Sequence, residues 1–232
     1  MKYKHIFFDL DRTLWDFDKS SRQAFQEIYE KYDLASKGVG SVNIFYDVYT
    51  LHNDKLWDDY RHGKLTKEDL RDKRFLLTLR DFGIDDQSLA EKLGDDYIRL
   101  SPLKANLFPQ ALNLLEYLYP KYKLHIITNG FSEVQEIKIK AADLGKYFDQ
   151  IITSEEAGVK KPHIKIFEYA LDLAGAKPEE SLMVGDDYEV DILGAKAAGM
   201  DQALFDPKAE NITLTKSVDY YLVCLDELKA VL

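Results

Sequence analysis

The chain has 232 residues, 46% hydrophobic and 31% charged, the proportions of a soluble globular protein with room for one large domain or one domain carrying an insertion. A net charge of −10 argues against a broad surface for a nucleic-acid backbone, and no apolar run approaches membrane-spanning length. The single cysteine, Cys224, rules out an intramolecular disulfide, and no apolar signal core precedes the first strand, so the expected location is the cytoplasm.

Ile6, Phe7 and Phe8 form an apolar run too short for a helix and read as a buried strand, with Asp9 and Asp11 directly after it. Phe25, Ile28, Tyr29 and Tyr32 then recur at helical spacing. Phe45, Val48, Leu51 and Leu56 suggest one face of a second helix reaching Tyr60. Thr66 with Asp69 resembles a capping box before a third helix carrying Phe75, Leu79 and Phe82, and Gly83 sits where that helix would end. Leu89, Leu93, Tyr97 and Leu100 give a fourth. The stretch from about 17 to 102 is therefore all helix.

The pattern changes after Ser101-Pro102. A helix over Ala111–Leu118 leads to a strand at 124–127 ending in Thr128-Asn129-Gly130, then a helix over about 132–144. Ile151-Ile152 is a strand before Lys160-Lys161-Pro162, followed by a helix with Ile166, Phe167, Ala170 and Leu171. Leu182–Val184 is a strand ending at Gly185-Asp186-Asp187, followed by a helix with Ile192, Ala195 and Ala198. Strands at 203–205 and 221–223 and a short helix over 226–232 close the chain. Alternating strands and helices predict an α/β fold with a doubly wound, parallel, Rossmann-like sheet. The expected division is a core of 1–16 and 103–232, with a helical cap of 17–102 inserted after the first strand.

Four polar clusters fall at or beyond strand ends: Asp9/Asp11, Thr128/Asn129, Lys161, and Asp186/Asp187/Asp191. In an open α/β sheet, ligands bind outside those carboxyl ends. Together the clusters supply carboxylates for a hard cation, a hydroxyl and amides for an anion, and one ammonium. That inventory suits phosphoryl transfer through a covalent aspartyl intermediate. Five carboxylates without a histidine or cysteine cluster favour Mg²⁺ over Zn²⁺.

These motifs resemble those of the haloacid-dehalogenase superfamily of phosphohydrolases over essentially the full length. Asp9-Leu10-Asp11-Arg12-Thr13 is similar to its first motif, Thr128 to the end of the second, Lys161-Pro162 to the third, and Gly185-Asp186-Asp187 with Asp191 to the fourth. The resemblance implies that Asp9 attacks phosphorus and that Asp11 serves as acid and then base. Thr128 and the Asn129 backbone would hold phosphate oxygens, while Lys161 would offset charge. Mg²⁺ would sit on the Asp9 carboxylate, the Asp11 carbonyl and Asp186, with Asp187 and Asp191 one layer out, orienting metal-bound water or Lys161. Arg12 stands where glycine is frequent, and Asp187 where serine or threonine is frequent.

Residues 13–18, 60–64 and 127–131 further resemble the branch of pyrimidine 5′-nucleotidases that act on modified nucleotides. The expected partner is a small phosphorylated metabolite, a nucleotide above others, with its base met by Phe45, Tyr46, Tyr49, Trp57, Tyr60, Arg61, His62 and Arg74 of the cap. A sugar-phosphate or phosphoglycolate phosphatase, a phosphomutase, a dehalogenase lacking the Asp11 role and a catalytically silent binding protein are the alternatives. Neither a nucleic-acid polymer nor a membrane is an expected partner, and oligomeric state is not legible.

Overall fold

The computed structural model describes residues 2–232. Six strands form one sheet: β1 (His5–Phe8), β2 (Lys123–Thr128), β3 (Gln150–Thr153), β4 (Ser181–Gly185), β5 (Asp201–Phe205) and β6 (Tyr220–Leu222). Their order is β3-β2-β1-β4-β5-β6, and every neighbouring pair is parallel. Successive strand residues face opposite sides, and a parallel sheet is covered on both. Ile6 and Phe8 accordingly pack with Leu124, Ile126, Leu182 and Val184 against Leu114, Leu115 and Leu118 of α5 (Ala111–Leu118). Phe7 packs on the other side with Ile127, Ile152 and Met183 against Ile166 and Phe167 of α8 (Ile164–Ala174).

The sheet runs outward from β1 in both directions, to β2 and to β4. Such a reversal is where α/β sheets open a ligand crevice at their carboxyl ends. Register sets Phe8 beside Ile126 and Val184, so Asp9, Thr128 and Asp186 all emerge at that edge. The Asp9 N–H donates to Val184 O at 2.9 Å, extending the ladder into the site.

The chain divides into two compact units, residues 1–17 with 105–232, and residues 18–104. Four helices fill the second: α1 (Phe17–Lys31, less its first residue), α2 (Val42–Arg61), α3 (Lys67–Asp81) and α4 (Gln87–Leu100). Each later start is capped by a side-chain oxygen: Ser41 accepts from Ile44 N, Asp86 accepts from Leu89 N, and Thr66 with Asp69 closes a capping box. Phe25 is the hub of this unit's core, with the rings of Phe45, Tyr46, Tyr49, Phe75 and Tyr97 all centred within 5.8 Å of it.

Several expected elements shift. The buried face of α2 is Phe45, Tyr46, Tyr49, Asn53, Leu56 and Tyr60, whereas Leu51 is 74% exposed. The apolar spacing missed this because a polar residue, Asn53, occupies the core face. The helix after β2 is α6 (Ser132–Ala141) and stops short of Leu144, because Asp143 takes a left-handed turn at φ +52°. A four-residue helix, α7 (Ser154–Ala157), follows β3. After β4 a single π turn, Tyr188–Ile192, precedes α9 (Leu193–Ala197), and the closing helix is a 3₁₀ turn, Leu225–Glu227, then α10 (Leu228–Val231).

Replacing the hub should cost what large-to-small core changes cost. Phe25→Ala is expected to lower unfolding free energy by about 3–5 kcal/mol. Leu51→Ala should change it by less than about 0.5 kcal/mol. Equilibrium denaturation of the two variants checks the ranking.

Candidate active site

Lys161 lies in the loop before α8, and its side chain is 2% exposed. Its ammonium donates to Asp9 Oδ1 and Asp191 Oδ1, each at 2.6 Å. Burial alone would push the lysine down, but the Asp191 and Asp9 carboxylates outweigh it and hold the lysine above its ordinary value. The Asn129 side chain fixes this arm. Its Nδ2 donates to Lys161 O at 2.9 Å, and its Oδ1 accepts from Lys161 N at 2.8 Å. The sequence pointed to the Asn129 backbone as a phosphate donor; the structure gives its side chain a separate task, clamping the Lys161 peptide.

Asp9, Asp186 and Asp191 bring carboxylate oxygens within 4.8 Å of one another. Thr13 Oγ1 lies 3.4 Å from both Asp9 Oδ2 and Asp186 Oδ1. Burial pushes Asp9 up to about 7, with Lys161 pulling it back and Asp191 opposing that pull. Burial, then Asp9 and Asp191, raise Asp186 well above the ordinary carboxylate range. Asp191 is raised by burial against the pull of Lys161. Three crowded carboxylates, with the one ammonium of Lys161 in contact, form a site that a divalent cation would neutralise. The donors are all oxygen, which fits Mg²⁺. Asp9 and Asp186 are the carboxylates best placed to hold it, because Asp191 has both oxygens engaged, Oδ1 by Lys161 and Oδ2 by Asp187 N. Asp187 is engaged elsewhere: its Oδ1 accepts from Glu189 N and Val190 N at 3.0 Å, capping the π turn.

Two glycines make this crowding possible. A Cβ at Gly185 would stand 2.3 Å from Asp191 Oδ2, and one at Gly130 would stand 1.8 Å from Gln135 Nε2. Arg12 has φ +64°, a conformation glycine adopts freely, which accounts for glycine being frequent there. Its guanidinium lies 4.9 Å from the centre of the Phe17 ring and pulls Asp186 downward.

Thr128 Oγ1 accepts from Gly130 N at 3.0 Å and from Gln135 Nε2 at 2.8 Å. The Asp11 carboxylate binds Lys138 and Gln135 of α6. Sequence reasoning missed both α6 residues. The available signal was a lysine on the buried stripe of a helix, three residues beyond a glutamine and next to Ile139.

In the helical unit, Phe45, Tyr46 and Tyr49 belong to the unit's own core and Arg74 is buried against it, so most of the aromatic groups expected to meet a substrate are core; Tyr60 is also buried. Arg74 is 4% exposed and stacks near Tyr97, Phe75 and Tyr49, at 5.1–5.9 Å from the ring centres. Its Nη1 donates to Asn53 Oδ1 at 3.4 Å. Trp57 and Arg61 are half-buried and His62 is exposed, all at the end of α2.

The doubly wound parallel sheet, with an acid cluster and a buried lysine beyond its carboxyl ends, defines a protein of the α/β class with its site at that edge. A model of haloacid dehalogenase-like hydrolases matches residues 3–199, and the chain belongs to that family. It is a phosphoric monoester hydrolase. The pyrimidine 5′-nucleotidase YjjG of Escherichia coli is 38% identical over 86% of this chain and 84% of its own. The pyrimidine 5′-nucleotidase PynA of Streptococcus pneumoniae is 31% identical over 98% and 97%. Other relatives are phosphatases of glyceraldehyde 3-phosphate and of N-acylneuraminate 9-phosphate. Among solved structures, the HAD-hydrolase YfnB from Bacillus subtilis, bound to magnesium, superposes with a TM-score of 0.89 at 26% identity, covering 100% of this chain and 99% of that one. No helix among the described residues is long and apolar enough to cross a membrane.

The raised Asp9 carboxyl has a pH consequence. In metal-free protein it holds a proton on folding between its unfolded value of 3.8 and about 7. The stability from that proton is present at low pH and is lost as pH rises through about 7. A cation bound at Asp9 must displace the proton. Mg²⁺ is therefore expected to raise the thermal midpoint more at pH of about 8 than at about 5.5, and the difference should shrink in Asp9→Asn, where the raised Asp186 carboxyl is left to exchange a proton for the ion. Melting curves with and without Mg²⁺ at both pH values test this; equal shifts in the unaltered protein would contradict it.

Proposed function

We propose that the protein is a Mg²⁺-dependent 5′-nucleotidase that hydrolyses pyrimidine nucleoside monophosphates, modified ones included, through an aspartyl-phosphate on Asp9. The observation that carries the mechanism is the Lys161 ammonium 2.6 Å from Asp9 Oδ1, which leaves Oδ2 as the attacking atom. The nucleophile attacks phosphorus as the ester oxygen departs, and Asp11 gives that oxygen its proton. Water then attacks the aspartyl-phosphate, passing its proton to Asp11, and Asp9 is regenerated as phosphate leaves. The Thr128 hydroxyl donates to a phosphate oxygen. Lys161, braced by Asn129 and Asp191, offsets the negative charge shared by phosphate and nucleophile. Mg²⁺, held by Asp9, Asp186 and the Asp11 carbonyl, would supply charge neutralisation on the phosphoryl oxygens. Asp187 contributes by shaping the turn that carries Asp191.

These groups recognise only phosphate and metal, so selectivity falls to the rest of the chain. We assign it to the helical unit, residues 18–104, acting as a cap. Trp57, Arg61 and His62 combine a flat apolar face with hydrogen-bonding groups, the pairing a nucleobase needs. Similarity to YjjG and PynA supports pyrimidines. The sugar-phosphate phosphatases among the relatives support a second reading, in which the same core acts on a phosphorylated sugar. A cytoplasmic location suits either substrate.

The expected order of kcat/KM is UMP, dUMP and dTMP above AMP, and all of these above phosphoglycolate and hexose phosphates. A sugar phosphate exceeding every nucleotide by more than about tenfold, roughly 1.4 kcal/mol in transition-state binding, would replace the nucleotidase reading with the second one.

A further inference from the structure

α6 presents Gln135 and Lys138 on one face, three residues apart, where side chains of a helix are neighbours. Both are buried, at 1% and 4% exposure, while Lys140 in the same helix faces solvent. Lys138 Nζ donates to Asp11 Oδ1 at 2.5 Å and to Oδ2 at 2.8 Å. Gln135 Nε2 donates to Asp11 Oδ2 and to Thr128 Oγ1, both at 2.8 Å. None of the four motif clusters includes either residue.

We propose that Gln135 and Lys138 are positioning residues that fix the proton-transferring carboxylate of Asp11 relative to the phosphate-binding hydroxyl of Thr128. This rests on the phosphomonoesterase reading above. A primary amide nitrogen has two hydrogens, and here one goes to each partner. A single rigid group thus sets the spacing between the residue that protonates the leaving oxygen and the residue that holds the phosphate. A hydroxyl has two acceptor positions and one hydrogen. Gly130 N and Gln135 Nε2 fill both acceptor positions of Thr128, so its hydrogen is left to point at an outside acceptor, the phosphate oxygen.

Lys138 completes the arrangement. Its ammonium lies 5.7 Å from the ring centres of both Trp15 and Phe17. It forms an ion pair with Asp11. Two donations from Lys138 and one from Gln135 restrain the Asp11 side chain, leaving lone-pair capacity for the reacting proton. In the first step Asp9 Oδ2 bonds to phosphorus while the P–O bond to the leaving group breaks, and the leaving oxygen takes the Asp11 proton. In the second the water oxygen bonds to phosphorus, its proton goes to Asp11, and the Asp9–phosphorus bond breaks. One carboxylate serves twice, so its placement counts in both steps. The absence of a side chain at Gly130 keeps room for the Gln135 amide that does the placing.

Steady-state kinetics with a series of phosphate monoesters provides the test, running from p-nitrophenyl phosphate, whose leaving oxygen needs little help, to alkyl and nucleoside esters, whose leaving oxygens need a proton. Lys138→Met should lose about tenfold or more in kcat on the alkyl esters beyond its loss on p-nitrophenyl phosphate, a fraction of what general acid catalysis supplies. KM should change little, and Lys138→Arg should recover part of the loss. Gln135→Met should steepen the same leaving-group dependence and also raise KM, because it releases Thr128. It stands as an independent probe if Lys138→Met does not fold by circular dichroism. An equal loss across the whole ester series, or no loss, in a folded variant would overturn the positioning role. A wild-type protein inactive on every ester with Mg²⁺ present would instead overturn the phosphomonoesterase reading.

Discussion

A lysine ammonium buried to 2% exposure between two carboxylates is the interaction on which the α/β unit depends. Removing one partner of such a group costs about 3–5 kcal/mol, because a charge is then left in the interior without compensation. The surrounding chain is arranged to prevent that. β1 delivers Asp9 beside β4, the turn after β4 returns Asp191 under Gly185, and the Asn129 side chain holds the Lys161 peptide from both sides. Each of those placements uses a different strand end, so the sheet order is a precondition of the ion triad.

The same arrangement explains why the site is prepared for a cation and an anion together. Burial, and then the neighbouring carboxylates, drive Asp9 and Asp186 up in pKa, an unfavourable electrostatic state that a divalent cation relieves. Thr128 has its acceptor positions filled, and its hydrogen remains available to an oxyanion. A phosphoryl group with Mg²⁺ answers both demands at once, in keeping with an enzyme of this family.

The strand-end acids and Thr128 were legible in the sequence because they stand just beyond apolar strands, and Lys161, past α7, was legible through its place before Pro162. The strands themselves were legible because both sheet faces are covered, which forces unbroken apolar runs such as Ile6–Phe8. What stayed hidden depends on side chains meeting across long sequence separations. Asn129 reaches Lys161 over 32 residues and Lys138 reaches Asp11 over 127, and no local pattern announces either contact. In the helical unit the stripe on α2 was misread at Leu51 because Asn53 lies on the buried face, where it accepts from Arg74. A polar residue in a core looks like a gap in periodicity until its partner is seen. Arg12 reads as an ordinary surface residue until its φ of +64° shows that the backbone there has a conformation suited to glycine.

The central claim is that the phosphoryl group passes through the Asp9 carboxylate. Acid-quenching the enzyme during turnover of a nucleotide, digesting it and mapping the peptides by mass tests that claim most directly. The account predicts one phosphoryl group on the peptide containing residues 5–12, located on Asp9 and lost when the sample is returned to alkaline pH. A phosphoryl group on any other residue, or turnover with no phosphorylated peptide under conditions that trap a synthetic acyl phosphate, would contradict it.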